Sequence, residues 1–83
     1  MIIRMKSVKA LDNYRLLVVF DDGKTVEYDM KDHIHKLPNY SDLETIYGLW
    51  QQVRLDESRT WACWNEYIDV PGDVIYERGV EIV

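Results

Sequence analysis

Eighty-three residues, 47% of them hydrophobic, 30% charged and 12% aromatic, describe one small folded domain. A chain this short buries roughly 60% of its unfolded surface, which excludes a two-domain enzyme, a doubly wound nucleotide fold and a large barrel. Fifteen acids against ten Lys and Arg leave a net charge of −5, which speaks against nucleic-acid binding, since that asks for a clustered basic face.

The opening Met1-Ile2-Ile3-Arg4-Met5-Lys6 has no long apolar core and no small-residue cleavage site, so no signal peptide is expected. Ile3 to Leu11 reads as a strand. Ile3 and Met5 share one parity, Val8 and Ala10 the other, and the change of phase near Ser7 predicts a bulge or bend. Arg4, Lys6 and Lys9 form a modest basic stretch, read as a solvated strand face. Asp12-Asn13 is a tight turn. Tyr14 to Phe20 is apolar on both parities, as in a strand covered on both sides. Its apolar run, Leu16 to Phe20, is far shorter than the about 20 residues of a membrane helix, so no membrane partner is expected.

Asp21-Asp22-Gly23-Lys24 then carries a strong hairpin signal. Thr25 to Met30 alternates: Val26, Tyr28 and Met30 point one way, Thr25, Glu27 and Asp29 the other. The opening is thus a three-stranded meander. Its register stays open. A two-residue Asp22-Gly23 turn sets Val19 opposite Val26; a three-residue loop with Gly23 as a bulge sets Val18 there.

From Lys31 to Tyr40 the pattern breaks, and Pro38-Asn39 signals a turn. Ser41 and Glu44 have the spacing of a capping box. Leu43, Ile46, Tyr47 and Trp50 share one helical face, with Gly48 inside the helix or ending it in a left-handed cap. Val53 to Asp56 and Thr60 to Asn65 read as a second hairpin. In its later strand Trp61 and Cys63 share one face, Ala62 and Trp64 the other. Asp69-Val70-Pro71 reads as a helix start, with Val74, Ile75 and Tyr76 supplying its buried side and Gly79 terminating it. Val80 to Val83 adds an edge strand or docks on the core. The order strand, strand, strand, helix, strand, strand, helix predicts a single α+β domain over 1–83, with a small antiparallel sheet of two hairpin units and two short helices packed on it.

Val8-Lys9-Ala10-Leu11-Asp12-Asn13-Tyr14-Arg15-Leu16-Leu17-Val18 through Phe20-Asp21-Asp22-Gly23 resembles the opening of a bacterial family known as domain of unknown function 2442. The passage Leu49-Trp50-Gln51-Gln52-Val53-Arg54-Leu55-Asp56, then Trp61 to Trp64, Ile68-Asp69-Val70-Pro71 and Tyr76-Glu77, is similar to the rest of its pattern. The resemblance runs from about Val8 to Gly79. It implies a small cytoplasmic bacterial α+β domain with no catalytic residue set to carry over. Genes of the family often stand beside another small gene, which implies an antitoxin-like role in a two-gene pair.

Candidate chemistry is sparse. His33-Ile34-His35 after Asp32 offers too few ligands for zinc, and the pair reads as two histidines in a polar loop. Cys63, between aromatics, reads as an inert core filler, and a lone cysteine fits a reducing cytoplasm. Asp21-Asp22 and Asp56-Glu57 fall at turns. The four glycines are isolated, so no phosphate loop exists and no cofactor is implied.

The aromatics are more telling: three Trp, six Tyr and one Phe. Trp61 and Trp64 have opposite strand parity, so they cannot both face the core. Tyr40, Tyr47, Trp61, Trp64 and Tyr67 are the candidate interaction surface. The reading is a non-catalytic protein-binding module whose partner is another protein. Homo-oligomerisation through a strand edge or the Val80–Val83 tail is compatible with it. The alternative is a small-ligand binder or enzyme, with a pocket near Trp64, Asn65, Asp69 and His33.

Overall fold

Phe20 and Lys24 close the first hairpin: the Phe20 N–H donates to the Lys24 carbonyl at 2.8 Å, and the Gly23 N–H returns to the Phe20 carbonyl at 2.9 Å. The loop therefore holds Asp21, Asp22 and Gly23, with Gly23 at φ +92°, a conformation that costs glycine nothing. This settles the register left open by the sequence. Val18 stands opposite Val26, and Val19 opposite Thr25.

The computed structural model describes residues 2–82. Strands β1 (Met5–Leu11), β2 (Arg15–Phe20) and β3 (Thr25–Asp29) form the expected meander. Helix α1 (Lys31–Lys36) and the one-turn helix α2 (Asp42–Thr45) follow, then β4 (Arg54–Leu55), β5 (Trp61–Cys63), β6 (Asp69–Pro71), α3 (Gly72–Arg78) and β7 (Val80–Glu81). Two antiparallel sheets result among the described residues: one of order β1-β2-β3-β7, the other β4-β5-β6. This is a small α+β fold. No helix among the described residues is long and apolar enough to cross a membrane.

The core face of the first sheet carries Leu16, Val18 and Phe20 of β2, then Val26, Tyr28 and Met30. The bulge predicted near Ser7 is present, for the β1–β2 register shifts between Met5 and Ser7. It lets Met5 reach the core while Val8, of opposite parity, still packs against it. The second face of β2 is only half covered. Leu17 and Val19 are half-buried there, flanked by Lys9 and Glu27 and by Ser7 and Thr25 rather than by another layer. The Asp12–Tyr14 turn places Asn13 and Tyr14 in the left-handed region, at φ +62° and +56°. For tyrosine this is strained, and its ring is held edge-on to Trp50 at 5.3 Å.

Several local expectations give way to packing. Lys31–Lys36 is a helix, not a polar loop: the Asp29 carboxylate accepts from the Lys31 N–H at 2.8 Å, and Ile34 points into the core. The Ser41–Glu44 capping box does not form. The chain reaches Ser41 already helically wound, and its hydroxyl turns back to the Pro38 carbonyl at 2.8 Å. Helix α2 ends after Thr45, so the long helical face is absent; Leu43 and Trp50 are buried, whereas Ile46 is half-exposed and Tyr47 fully exposed. Gly48, at φ +82°, turns the chain so that Leu49 and Trp50 enter the core.

Asp69–Pro71 is a strand paired with β5 rather than a helix start, and α3 begins one residue later at Gly72. Gly79 ends α3, yet in an extended conformation, φ −74° and ψ 170°. Close approach requires the glycine there. A Cβ would overlap the Cγ1 of Val26 and lie 2.7 Å from the Ile75 carbonyl oxygen. The tail does form an edge strand, with Val80 opposite Glu27 and the Ile82 N–H donating to the Thr25 carbonyl at 2.8 Å. Val83, counted in that tail, lies outside the described residues, as does Met1.

Candidate functional site

Strand alternation sends Ala62 and Trp64 inward and Trp61 and Cys63 outward. Trp64 is 3% exposed, and its indole N–H donates to the Trp50 carbonyl at 3.0 Å. The Trp50 indole in turn donates to the Leu11 carbonyl at 2.9 Å. Trp64 is thus a core residue and does not belong to the interaction surface: a buried indole N–H needs an acceptor, and one stands within the core. Cys63 is half-buried on the outer face, so Ala62 fills the core position expected of it. Burial, with the Asp56 and Asp69 charges adding, pushes the Cys63 thiol up, which keeps it protonated and unreactive.

Trp61 is 41% exposed and borders a groove of about 670 Å³. Pro71 stands directly opposite it in the β5–β6 ladder. Because α3 starts at the next residue, Asp73, Val74 and Glu77 come to the same groove, and Ile2, Ile3 and Thr60 complete its lining. Neighbouring bases are directed elsewhere. Arg59 forks onto Asp21 at 2.7 and 3.0 Å, and that hydrogen-bonded pairing holds the Asp21 carboxyl below its ordinary range, with the charges of Lys6 and Arg4 adding.

The other predicted surface residues lie apart from this groove. Tyr40 is a strut: half-buried, it donates its hydroxyl to the Asp69 carbonyl at 2.6 Å, and its ring sits 5.2 Å from that of His33. Tyr47 borders a separate hollow of about 570 Å³, which shares no lining residue with the Trp61 groove. Tyr67, 77% exposed, caps the β5–β6 loop, where the Asn65 side chain accepts from the Tyr67 and Ile68 N–H groups at 2.8 and 3.0 Å. The candidate surface therefore separates into three exposed aromatics: among the described residues, Tyr47 and Trp61 border different hollows and Tyr67 borders neither.

A third hollow, about 720 Å³, lies between α1, β3 and the α3–β7 junction. Of the pocket residues expected from the sequence, only His33 lines it. His33 Nε2 meets the Tyr28 hydroxyl at 2.7 Å, and its Nδ1 is buried with no partner. Burial lowers the His33 pKa, so the ring is neutral at pH 7, a state that can accept or donate one proton. The rim is balanced: Arg15, Lys36 and Arg78 against Glu27, Asp29 and Asp32. Arg15 pairs with Glu27 across β2 and β3, and Asp29 with Lys31 at 3.0 Å. His35 stands on another face of α1, 3.7 Å from Glu44, so the two histidines do not converge. Among the described residues no three His, Cys, Asp or Glu side chains gather as a metal set. Sequence reading missed this hollow because it missed α1. The signal was there in Asp29 as a turn-starter followed by Met30, Ile34 and Leu37 at helical spacing.

No curated protein matches the chain, and no solved structure does. The profile of one family does match, over residues 5–81, and its description is "Protein of unknown function (DUF2442)". That span takes in both sheets, the Trp61 groove except for Ile2 and Ile3, and the His33 hollow except for Ile82. The chain belongs to this family.

Proposed function

We propose that the protein is a non-catalytic, cytoplasmic protein-binding module, and that Trp61 anchors its partner surface. The supporting observation is the contrast among its tryptophans. Trp50 and Trp64 have their indole N–H groups satisfied inside the core, whereas Trp61 stands exposed among Ile2, Ile3, Pro71 and Val74. Exposed tryptophans in apolar surroundings are over-represented among residues that carry binding energy. The gene pairing implied by the family resemblance extends this reading to an antitoxin-like partner of a neighbouring gene product. The test is affinity capture from the source cells, with the retained protein then purified and titrated. Binding that Trp61→Ala weakens by roughly tenfold or more supports the reading. Retention of no protein removes it.

The His33 hollow favours one second reading, a small-ligand binder, because its wall combines a neutral imidazole with the Tyr28 hydroxyl. Under that reading a metabolite mixture shifts the His33 ring resonances and raises the melting temperature; neither change occurs for a pure protein-binding module.

A further inference from the structure

The Trp61 groove has a chemical bias beyond mere exposure. Its walls are apolar, from Ile2, Ile3, Trp61, Pro71 and Val74. Its edge on α3 is acidic: Asp73 and Glu77 stand four residues apart on one helical face, both exposed. Among the described residues neither forms an ion pair. Two bases of the neighbouring elements are engaged elsewhere. Arg59 is spread across Asp21. Lys24 lies 4.0 Å over the Tyr76 ring and donates to the Tyr76 carbonyl. Arg78 lines the His33 hollow.

We infer that the Trp61 groove binds a partner-protein segment carrying lysine or arginine beside an aliphatic residue, an inference that rests on the module reading above. The cation is held by the exposed Trp61 ring together with the Asp73 and Glu77 carboxylates. The aliphatic neighbour packs on Ile3, Pro71 and Val74. Each part follows from the groove's chemistry. Tryptophan is the aromatic that attracts a cation most strongly. Two carboxylates without ion-pair partners among the described residues stand at the rim, although Asp73 Oδ1 accepts from the Val74 N–H at 2.8 Å, and together they repel an acidic segment, which supplies selectivity. The chain's charge of −5 steers a basic segment toward it. A second copy of this chain is the poorer occupant, because its own net charge of −5 opposes docking on an acidic rim.

The probe is a phage-displayed library of random short peptides, panned on the intact protein. The selected peptides are expected to be enriched in Lys or Arg next to Leu, Ile or Val. Synthesised, they shift the Trp61 indole N–H and the Val74 and Glu77 amide resonances. Trp61→Ala weakens them by roughly tenfold or more. Asp73→Asn with Glu77→Gln, which leaves the apolar walls intact, weakens them as well and flattens the salt dependence. Enrichment of acidic or uncharged peptides overturns the inference, and so do basic peptides that bind both variants as tightly as the wild type. Self-association in sedimentation that Trp61→Ala abolishes also overturns it, since the occupant is then a second copy. Failure of the groove alone is recognisable: a captured partner released by Tyr47→Ala, with the Trp61 groove silent, leaves the module reading standing. Capture of no partner removes the module reading itself.

Discussion

The indole N–H of Trp64 donates to the Trp50 carbonyl at 3.0 Å, and the two rings stack with centroids 5.5 Å apart. This contact ties β5 to the Trp50–Gln52 turn, and the Trp50 indole carries the link on to the end of β1 at the Leu11 carbonyl. Trp64→Phe keeps most of the apolar area but leaves a buried carbonyl unpaired, and is expected to cost about 1–3 kcal/mol. Trp64→Ala adds a cavity and costs about 3–5 kcal/mol. Trp61→Ala, on the outer face, is expected to stay within about 1 kcal/mol of the wild type. Urea unfolding of the three variants checks the order. A Trp61 variant as unstable as Trp64→Ala contradicts the assignment of core and surface.

Two glycines are expected to respond to alanine for different reasons. Gly23 has a left-handed backbone in open space, so Gly23→Ala costs about 1 kcal/mol of strain, and Gly23→Asn recovers part of it. Gly79 has an ordinary backbone but no room, since its Cβ would overlap Val26. Overpacking there costs about 1–3 kcal/mol, and β7 loosens from β3. In Gly79→Ala, amide exchange at Val26 and Glu27 accelerates; in Gly23→Ala it follows global stability alone.

Acid is expected to destabilise the fold in two separate windows. Burial holds the folded-state pKa of His33 below the ordinary imidazole value of about 6.5. The facing groups are the Tyr28 hydroxyl, the Tyr40 ring, Asp32 and Arg78. The unfolded chain therefore takes up the proton first, and stability falls as pH drops below about 6.5 until the folded ring also protonates. Asp21, Asp22 and Asp56 have lowered values through hydrogen bonds from Arg59, the Lys24 N–H and Ser58. Their contribution is intact above the ordinary carboxylate value, about 3.9, and is lost only as pH falls below it. Melting curves between pH 7.5 and 5 isolate the first window. His33→Gln is expected to flatten the slope there and to leave the acid limb unchanged.

Removal of Val80–Val83 strips β7 from β3 and leaves the edge of β3 at Thr25 and Glu27 unpaired. A fall in melting temperature of about 5 °C or more is expected. The uncovered strand edge also favours self-association, visible by sedimentation. An unchanged melting temperature and sedimentation coefficient would refute a structural role for the tail.

Local chemistry was legible wherever a residue's preference needs only its chain neighbours. The Asp22-Gly23 hairpin, the alternation of Val26, Tyr28 and Met30, the bulge before Ser7 and the opposite parities of Trp61 and Trp64 all belong to this class. They follow from backbone geometry with a period of two residues, and they are enough to identify an α+β meander with a second hairpin and to relate it to its family.

The tertiary structure decided what depends on distant partners. Both hairpin registers are compatible with a strand that is apolar on both parities; the pairing of Val18 with Val26 also places Leu16 against Tyr28 on the core face. Parity states that Trp61 and Trp64 face opposite ways, but only the Trp50 carbonyl, fourteen residues back, makes Trp64 the buried one. Pro71 reads locally as a helix start and becomes strand because β5 lies beside it. The groove at Trp61 unites residues from the amino terminus, β5 and α3, segments separated by some seventy positions. Hydrophobic burial is non-directional and is satisfied only by the whole set of neighbours, so no stretch of sequence encodes such a site by itself.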